Sequence, residues 1–282
     1  MLPQSGLTEF LYNQTFIAFD TETTGLWAPV HRLVEIAAVK FSLGKQSIDT
    51  FQSLVNPQRS IPEEVIEIHG ITDEMVAEAP TVRPTLERFI EFCGDNSILI
   101  AHNAPFDISF VSCELDRVGL MFSDNLILDT VDIYRRLYPD LQSYSLLSLA
   151  KQFHIAQTQE HRALEDAQLV YRLFIRAAER FEAIDDIDEL KSSFTAFTMA
   201  EWPSGTRELP AEYGELNRAL KQNLRVEITY QSRSEAVHTR IIQPKQVYGL
   251  GSTFYINAFC ESARAERTFR LDRIERFRVL EG

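Results

Sequence analysis

The stretch Thr15 to Gly25 reads T-F-I-A-F-D-T-E-T-T-G. Thr15 to Thr21 is short, apolar and rich in aromatic and branched side chains, which predicts a strand. Asp20 and Glu22 stand two apart at its end. Period-two alternation puts both carboxylates on one face, where they can share a divalent cation. An exposed acidic strand end gives the same pattern, so the pair acquires meaning only from what surrounds it.

Outward from this stretch, Leu33 to Ser42 and Ile48 to Val55 continue in the same style and predict an antiparallel meander, interrupted by Pro57 and Pro62. Leu86, Phe89, Ile90 and Cys93 then fall at helical spacing. Ile98 to Ala101 reads as a buried strand, and Pro105 suits the first turn of a helix behind it. Leu146 to Phe153 and Ala163 to Phe181 read as two more helices, the second strongly amphipathic. Strands first, then strands mixed with helices, predict an α/β sandwich on a mixed sheet.

Residues 183–213 differ. They open with Asp185, Asp186, Asp188 and Glu189 and contain Trp202-Pro203-Ser204-Gly205 and Pro210, and read as a connector, partly helical. Beyond a helical pattern at Leu216 to Leu220, candidate strands are Val226 to Tyr230, His238 to Gln243, Thr253 to Phe259, Arg267 to Leu271 and Phe277 to Leu280. Short strands so closely spaced predict a small barrel. The expected division is therefore 1–182, a connector at 183–213, and 214–282.

Charge supports that division. The chain of 282 residues has a net charge of −13, with 45% hydrophobic and 24% charged residues. Residues 214–282 carry 12 Lys and Arg against 8 Asp and Glu, net +4, while residues 1–213 carry 16 against 33, net −17. Solubility accounts for most surface acids, but the asymmetry points to two domains with different tasks. Cys93, Cys113 and Cys260 are scattered, which argues against a disulfide framework and a cysteine zinc site. The expectations are no signal peptide, no membrane span and a reducing cytoplasmic location.

Two further segments belong with Asp20 and Glu22. Asp107 closes H-N-A-P-F-D (His102 to Asp107), just inside a predicted helix, where a carboxylate is also a favourable charge at the helix N-terminus. His161 and Asp166 stand in H-R-A-L-E-D-A (His161 to Ala167). Five helical steps turn about 140°, so the two share a site only if His161 lies at the helix entrance or on a loop. A histidine there can also be a plain polar surface residue. Converging carboxylates need cations to hold them, and a histidine beside them suits proton transfer. That is the equipment of metal-assisted phosphodiester hydrolysis.

The three segments resemble the Exo I, Exo II and Exo III motifs of the DEDD exonuclease superfamily, in its DEDDh branch, similar to polymerase III epsilon-type (DnaQ-like) domains. The resemblance covers about residues 13–180 and includes His-Gly-Ile-Thr at His69 to Thr72. It implies an RNase H-like fold and a 3′→5′ exonuclease. Asp20, Glu22, Asp107 and Asp166 would be metal ligands and His161 the general base. Two Mg²⁺ or Mn²⁺ ions, roughly 3.5–4 Å apart, would stabilise the attacking and leaving oxygens, and an imidazole can take a proton near neutral pH. The product would be a nucleoside 5′-monophosphate. The backbone around Thr23 and Gly25, with His102 and Asn103, would meet the terminal nucleotide. Leu26 and Phe106 would pack on or wedge beside the last bases, or simply fill the core. The acidity of this domain implies that the grip on phosphate lies elsewhere.

Residues from about Leu216 to Leu280 resemble a WYL domain, a small SH3-like barrel. V-E-I-T-Y (Val226 to Tyr230), Phe254-Tyr255-Ile256 in place of Trp-Tyr-Leu, and R-T-F-R-L-D-R-I (Arg267 to Ile274) carry the likeness. It implies nucleic-acid binding or sensing of a nucleotide-like ligand. Arg267, Arg270, Arg273, Arg276 and Arg278, with Tyr230 and Tyr255, are candidates for a basic groove with stacking platforms. A solvated basic face, or docking on the acidic domain, are the competing readings. The expected partner is nucleic acid, DNA ahead of RNA, and not a membrane. No polymerase region is read in the chain, so proofreading or repair would need a separate partner. The alternative function is a regulatory nucleic-acid or ligand-binding protein built on a relic nuclease fold.

Overall fold

The computed structural model describes residues 8–181, 184–199, 209–231, 237–250 and 253–280, with backbone alone at 45–47, 248–250 and 266. The Trp202-to-Gly205 motif lies outside the described residues. The chain divides into two compact units, residues 1–202 and 203–282.

The first unit runs α1 (Glu9–Asn13), β1 (Phe16–Thr23), β2 (Leu33–Ser42), β3 (Lys45–Leu54), α2 (Glu63–His69), α3 (Asp73–Val76), α4 (Val82–Cys93), β4 (Ile98–Ala101), α5 (Pro105–Val118), β5 (Ile127–Asp129), α6 (Thr130–Leu137), α7 (Leu146–Gln152), α8 (Ala163–Ala178), α9 (Ile187–Ser193) and β6 (Ala196–Phe197). The sheet order is β3-β2-β1-β4-β5-β6. Neighbouring pairs β1/β2, β2/β3 and β5/β6 are antiparallel, while β1/β4 and β4/β5 are parallel, so the mixed sheet and its opening meander are as expected. Part of the segment read as a connector, α9 and β6, belongs to this unit, β6 pairing with β5.

Helices cover both faces of the sheet because β1, β2 and β4 are apolar on both. Phe16, Ala18, Val39, Phe41 and Ile100 pack against Val170, Leu173 and Phe174 of α8. Ile17, Phe19, Ala38, Phe51 and Leu99 pack against Leu86 and Phe89 of α4 and Ile108 and Val111 of α5. A strand buried on both faces reads as an unbroken apolar run, as Phe16 to Phe19 does. No helix among the described residues is long and apolar enough to cross a membrane. The three cysteines are free and buried.

The second unit comprises α10 (Gly214–Lys221), β7 (Arg225–Gln231), β8 (Val237–Leu250), β9 (Thr253–Cys260), β10 (Ala265–Arg270) and β11 (Ile274–Leu280). Its all-antiparallel sheet has the order β10-β9-β8-β7-β11. The five expected strands form one antiparallel sheet, and among the described residues no pairing joins β10 to β11, so closure into a barrel is not seen. A 3₁₀ turn, Leu271–Arg273, connects these two edge strands. Val226, Ile228, Ile242, Ile256 and Phe269 form the core with Leu216 and Ala219 of α10. Strand β8 runs well beyond the predicted Gln243. Its register shifts between Pro244 and Gln246, the irregularity by which a strand tolerates a proline.

Candidate metal centre

Strand β1 sorts the site. Phe16 and Ala18 point to the core beneath α8, Ile17 and Phe19 to the core beneath α5. Continued alternation delivers Asp20 and Glu22 to the α8 side and Thr21 to the α5 side. Helix α8 contributes Asp166 from its first turn. Ligand oxygens of Asp20, Glu22 and Asp166 all lie within 4.8 Å of one another. Asp107, in the first turn of α5 and 2% exposed, lies outside that group of three. It reaches the strand end from the opposite side, where the Thr21 hydroxyl donates to its Oδ1 at 2.7 Å.

The electrostatics show what this cluster lacks. Burial, then the charges of Asp107, Asp166, Glu22 and Glu35, holds the Asp20 carboxyl well above the ordinary carboxylate range. Burial, followed by Asp166, Glu35 and Asp107, pushes Glu22 up to about 9. Burial also lifts Asp107, to about 7, against the Thr21 hydrogen bond. Asp166 is raised by burial, and only partly eased by a hydrogen bond from Gln159 and the nearby His161. Gln159 Nε2 donates to Asp166 Oδ2 at 2.5 Å, yet Asp166 Oδ1 is buried without a hydrogen-bond partner. An all-oxygen set that repels itself, with an orphaned buried oxygen among its members, fits a hard divalent cation.

His161 is exposed and sits just ahead of α8 with φ +51°, so it stands on the loop that its offset from Asp166 demanded. Glu35 was not singled out in the sequence. It is fully buried on β2, directly opposite Glu22 in the register. Arg162 forks onto it at 2.8 and 3.0 Å, Ala163 N–H donates at 3.0 Å and Gln52 at 2.9 Å. Burial pushes its carboxyl up, but these hydrogen bonds more than offset that and leave it below the ordinary value. One acid inside the apolar run L-V-E-I-A-A-V was its available signal. Gln159 had none.

The remaining candidates lie where β1 ends and where β4 leads into α5. Thr23 donates to the Gly25 carbonyl at 2.6 Å. Gly25 has φ +151°, and a Cβ there would sit 2.5 Å from the His31 ring, so the turn requires glycine. Leu26 follows, 71% exposed. Its loop is braced: Arg117 on α5 donates to the carbonyls of Ala28 and Pro29, both at 2.7 Å, and the buried Glu114 pairs with Arg32 and Arg117. Phe106 is half-buried, its ring 5.0 Å from Phe110. His102 is a strut, Nδ1 lying 2.8 Å from the Thr130 hydroxyl, with burial taking its pKa down to about 4. Asn103 N–H donates to Asp129 Oδ1 at 2.9 Å.

In the second unit the arginines do not form one row. Arg267 and Arg270 lie three apart on β10 and so point to opposite faces, while Arg276 and Arg278 share a face of β11. Arg273 is in the 3₁₀ turn. Arg270, opposite Tyr255, forks onto Asp272, and Arg278 pairs with Glu227 at 3.1 Å. The Tyr230 ring meets Phe269 edge-on at 5.1 Å, and its hydroxyl accepts the Arg270 N–H at 3.4 Å.

Residues 17–174 match the family model described as exonuclease (RNase_T), and residues 212–279 match the WYL domain. A PolC-type DNA polymerase III of Caldanaerobacter subterraneus subsp. tengcongensis is 37% identical over 190 residues, covering 67% of this chain and 13% of that protein. The PolC-type polymerase of Oceanobacillus iheyensis is 40% identical over 174 residues, 60% of this chain and 12% of its own length. The chain thus spans a small fraction of these relatives. The nuclease domain of 3′hExo, a DEDDh family member in complex with rAMP, shares the fold with a TM-score of 0.54 at 18% identity, over 63% of this chain and 98% of that one.

Proposed function

Because the chain belongs to the RNase_T exonuclease family and carries a WYL domain behind the nuclease, we propose that it is a DEDDh-type enzyme that shortens single-stranded DNA from the 3′ end with divalent cations, releasing nucleoside 5′-monophosphates. The observation that carries this is the convergence of Asp20, Glu22 and Asp166 within 4.8 Å, beside a loop-borne histidine. Mg²⁺ or Mn²⁺, held by these three and by Asp107, would supply positive charge to the scissile phosphodiester and make the attacking water more acidic. His161 accepts that water's proton on a ring nitrogen. The water oxygen attacks phosphorus, and the P–O3′ bond breaks toward the upstream nucleotide. The braced turn at Thr23 to Leu26 seats the terminal nucleotide, with Leu26 and Phe106 against its base.

The PolC-type relatives favour DNA over RNA, and a polymerase or repair complex as the setting. The WYL unit would recruit the strand or sense a nucleotide ligand. Among its candidates, the exposed Arg267 suits strand contact better than Tyr230, whose ring and hydroxyl are both engaged. End-labelled single-stranded DNA, duplex DNA and RNA, each incubated with Mg²⁺ or Mn²⁺, test the reading. Stepwise shortening from the 3′ end, fastest on single-stranded DNA, is expected. No shortening of any of the three overturns it.

A further inference from the structure

Glu35 adjoins the carboxylate cluster but has the opposite chemistry: both of its oxygens are filled by protein donors. Two of those donors follow the proposed base directly in the chain. Arg162 is the residue after His161, and Ala163 N–H opens α8. The helix's first turn is then closed by the Asp166 N–H on the Arg162 carbonyl at 2.9 Å. His161 itself holds φ +51°, a left-handed conformation that a non-glycine residue adopts only when its surroundings impose it. The anchor lies on β2, rigidly paired to β1 and opposite Glu22. One buried carboxylate thus ties the loop of the base, the first turn bearing Asp166 and the strand pair bearing Asp20 and Glu22 into a single frame.

Building on the exonuclease reading, we propose that Glu35 and Arg162 are positioning residues, a clamp that holds the backbone on the C-terminal side of His161 so that the imidazole stands over the cluster. Neither touches the reacting atoms in this role. Glu35 is not a metal ligand, because it has no acceptor direction left for a cation. Gln52 completes the clamp by occupying Oε1 beside the Arg162 fork.

The test is a double-mutant cycle with binding and exchange measurements alongside. Glu35→Gln lowers kcat about a hundredfold, the scale on which small misplacement acts, with KM within about threefold. Mn²⁺ affinity, measured by calorimetry without nucleic acid, stays within about threefold of the parent protein. Arg162→Lys recovers part of the rate. In a His161→Ala background Glu35→Gln costs less than about threefold, because the group it positions is gone. The pair Glu35→Gln with Arg162→Met removes both charges together, avoids an unpaired buried ion, and is slow like the single variant. Amide exchange over residues 161–166 accelerates in Glu35→Gln. An equal loss of rate with and without His161, or unchanged kcat, overturns the clamp, as does unchanged amide exchange. If the parent protein cleaves nothing, the exonuclease reading fails, while the exchange data still decide whether Glu35 holds this segment.

Discussion

The two units use the same residue types to opposite ends. In the WYL unit, surface charges find partners nearby: Arg270 with Asp272, Arg278 with Glu227, Arg225 with Glu261. Such exposed pairs contribute about 0–1 kcal/mol each. In the exonuclease unit, the half-buried Asp20 and Glu22 and the buried Asp166 are gathered with one another for company. Charge sign therefore says little about where the chemistry lies. Charges left in conflict with their surroundings say more, because only a function rewards keeping them.

The sharpest break of this contrast is Asp20→Ala. Cleavage of labelled single-stranded DNA should fall by at least about a thousandfold, with strand binding retained, as expected for loss of metal assistance. Retained cleavage would remove the cluster from the chemistry. His161→Ala comes next, with kcat reduced by about 10²–10⁴ and Mn²⁺ affinity unchanged, as for loss of a general base. A variant with parental kcat would return His161 to the surface.

The third prediction is thermodynamic. The cluster carboxyls stay protonated in the metal-free fold up to about 9 for Glu22 and about 7 for Asp107, but ionise near their ordinary values once unfolded. Between those limits the folded state binds more protons, so its stability falls as pH rises. Metal-free protein should lose roughly 5–10 °C of Tm between pH 5 and pH 9. Saturating Mn²⁺ should abolish the trend, and Asp20→Asn with Glu22→Gln should flatten it. A Tm that climbs with pH would contradict the picture. The smallest effects belong to the other unit. Arg267→Glu with Arg270→Glu should weaken strand binding several-fold and reduce the salt slope by about 1–2. Arg278→Ala should change stability by no more than about 0.5 kcal/mol in chemical denaturation.

The sequence disclosed what local pattern encodes. Phe16 to Phe19 announced a strand by unbroken apolarity, Pro105 marked a helix start, and the five residues from Asp20 to Asp166 stood in motifs whose family resemblance implied one chemistry. Features set by distant pairing were not legible. Glu35 matters because the β1/β2 register sets it against Glu22, and Gln159 because its loop returns over Asp166. Tyr230 read as a stacking platform, yet Phe269 and the backbone of Arg270 engage it. Strand spacing disclosed five strands in the second unit and not the order in which they pair. Short helices such as α3 (Asp73–Val76) hold too few residues for a period to show.

The opposition of Glu22 and Glu35 also bears on how the chain assembles. Strands β1 and β2 are neighbours in sequence and can pair early, yet doing so sets two carboxylates face to face. The relief, Arg162, lies 127 residues downstream of Glu35. A nascent chain that has not yet delivered α8 therefore carries an electrostatic brake on its central hairpin. The sheet's central pair is thus relieved of its like-charge opposition only by the residue that caps the helix whose first turn bears Asp166.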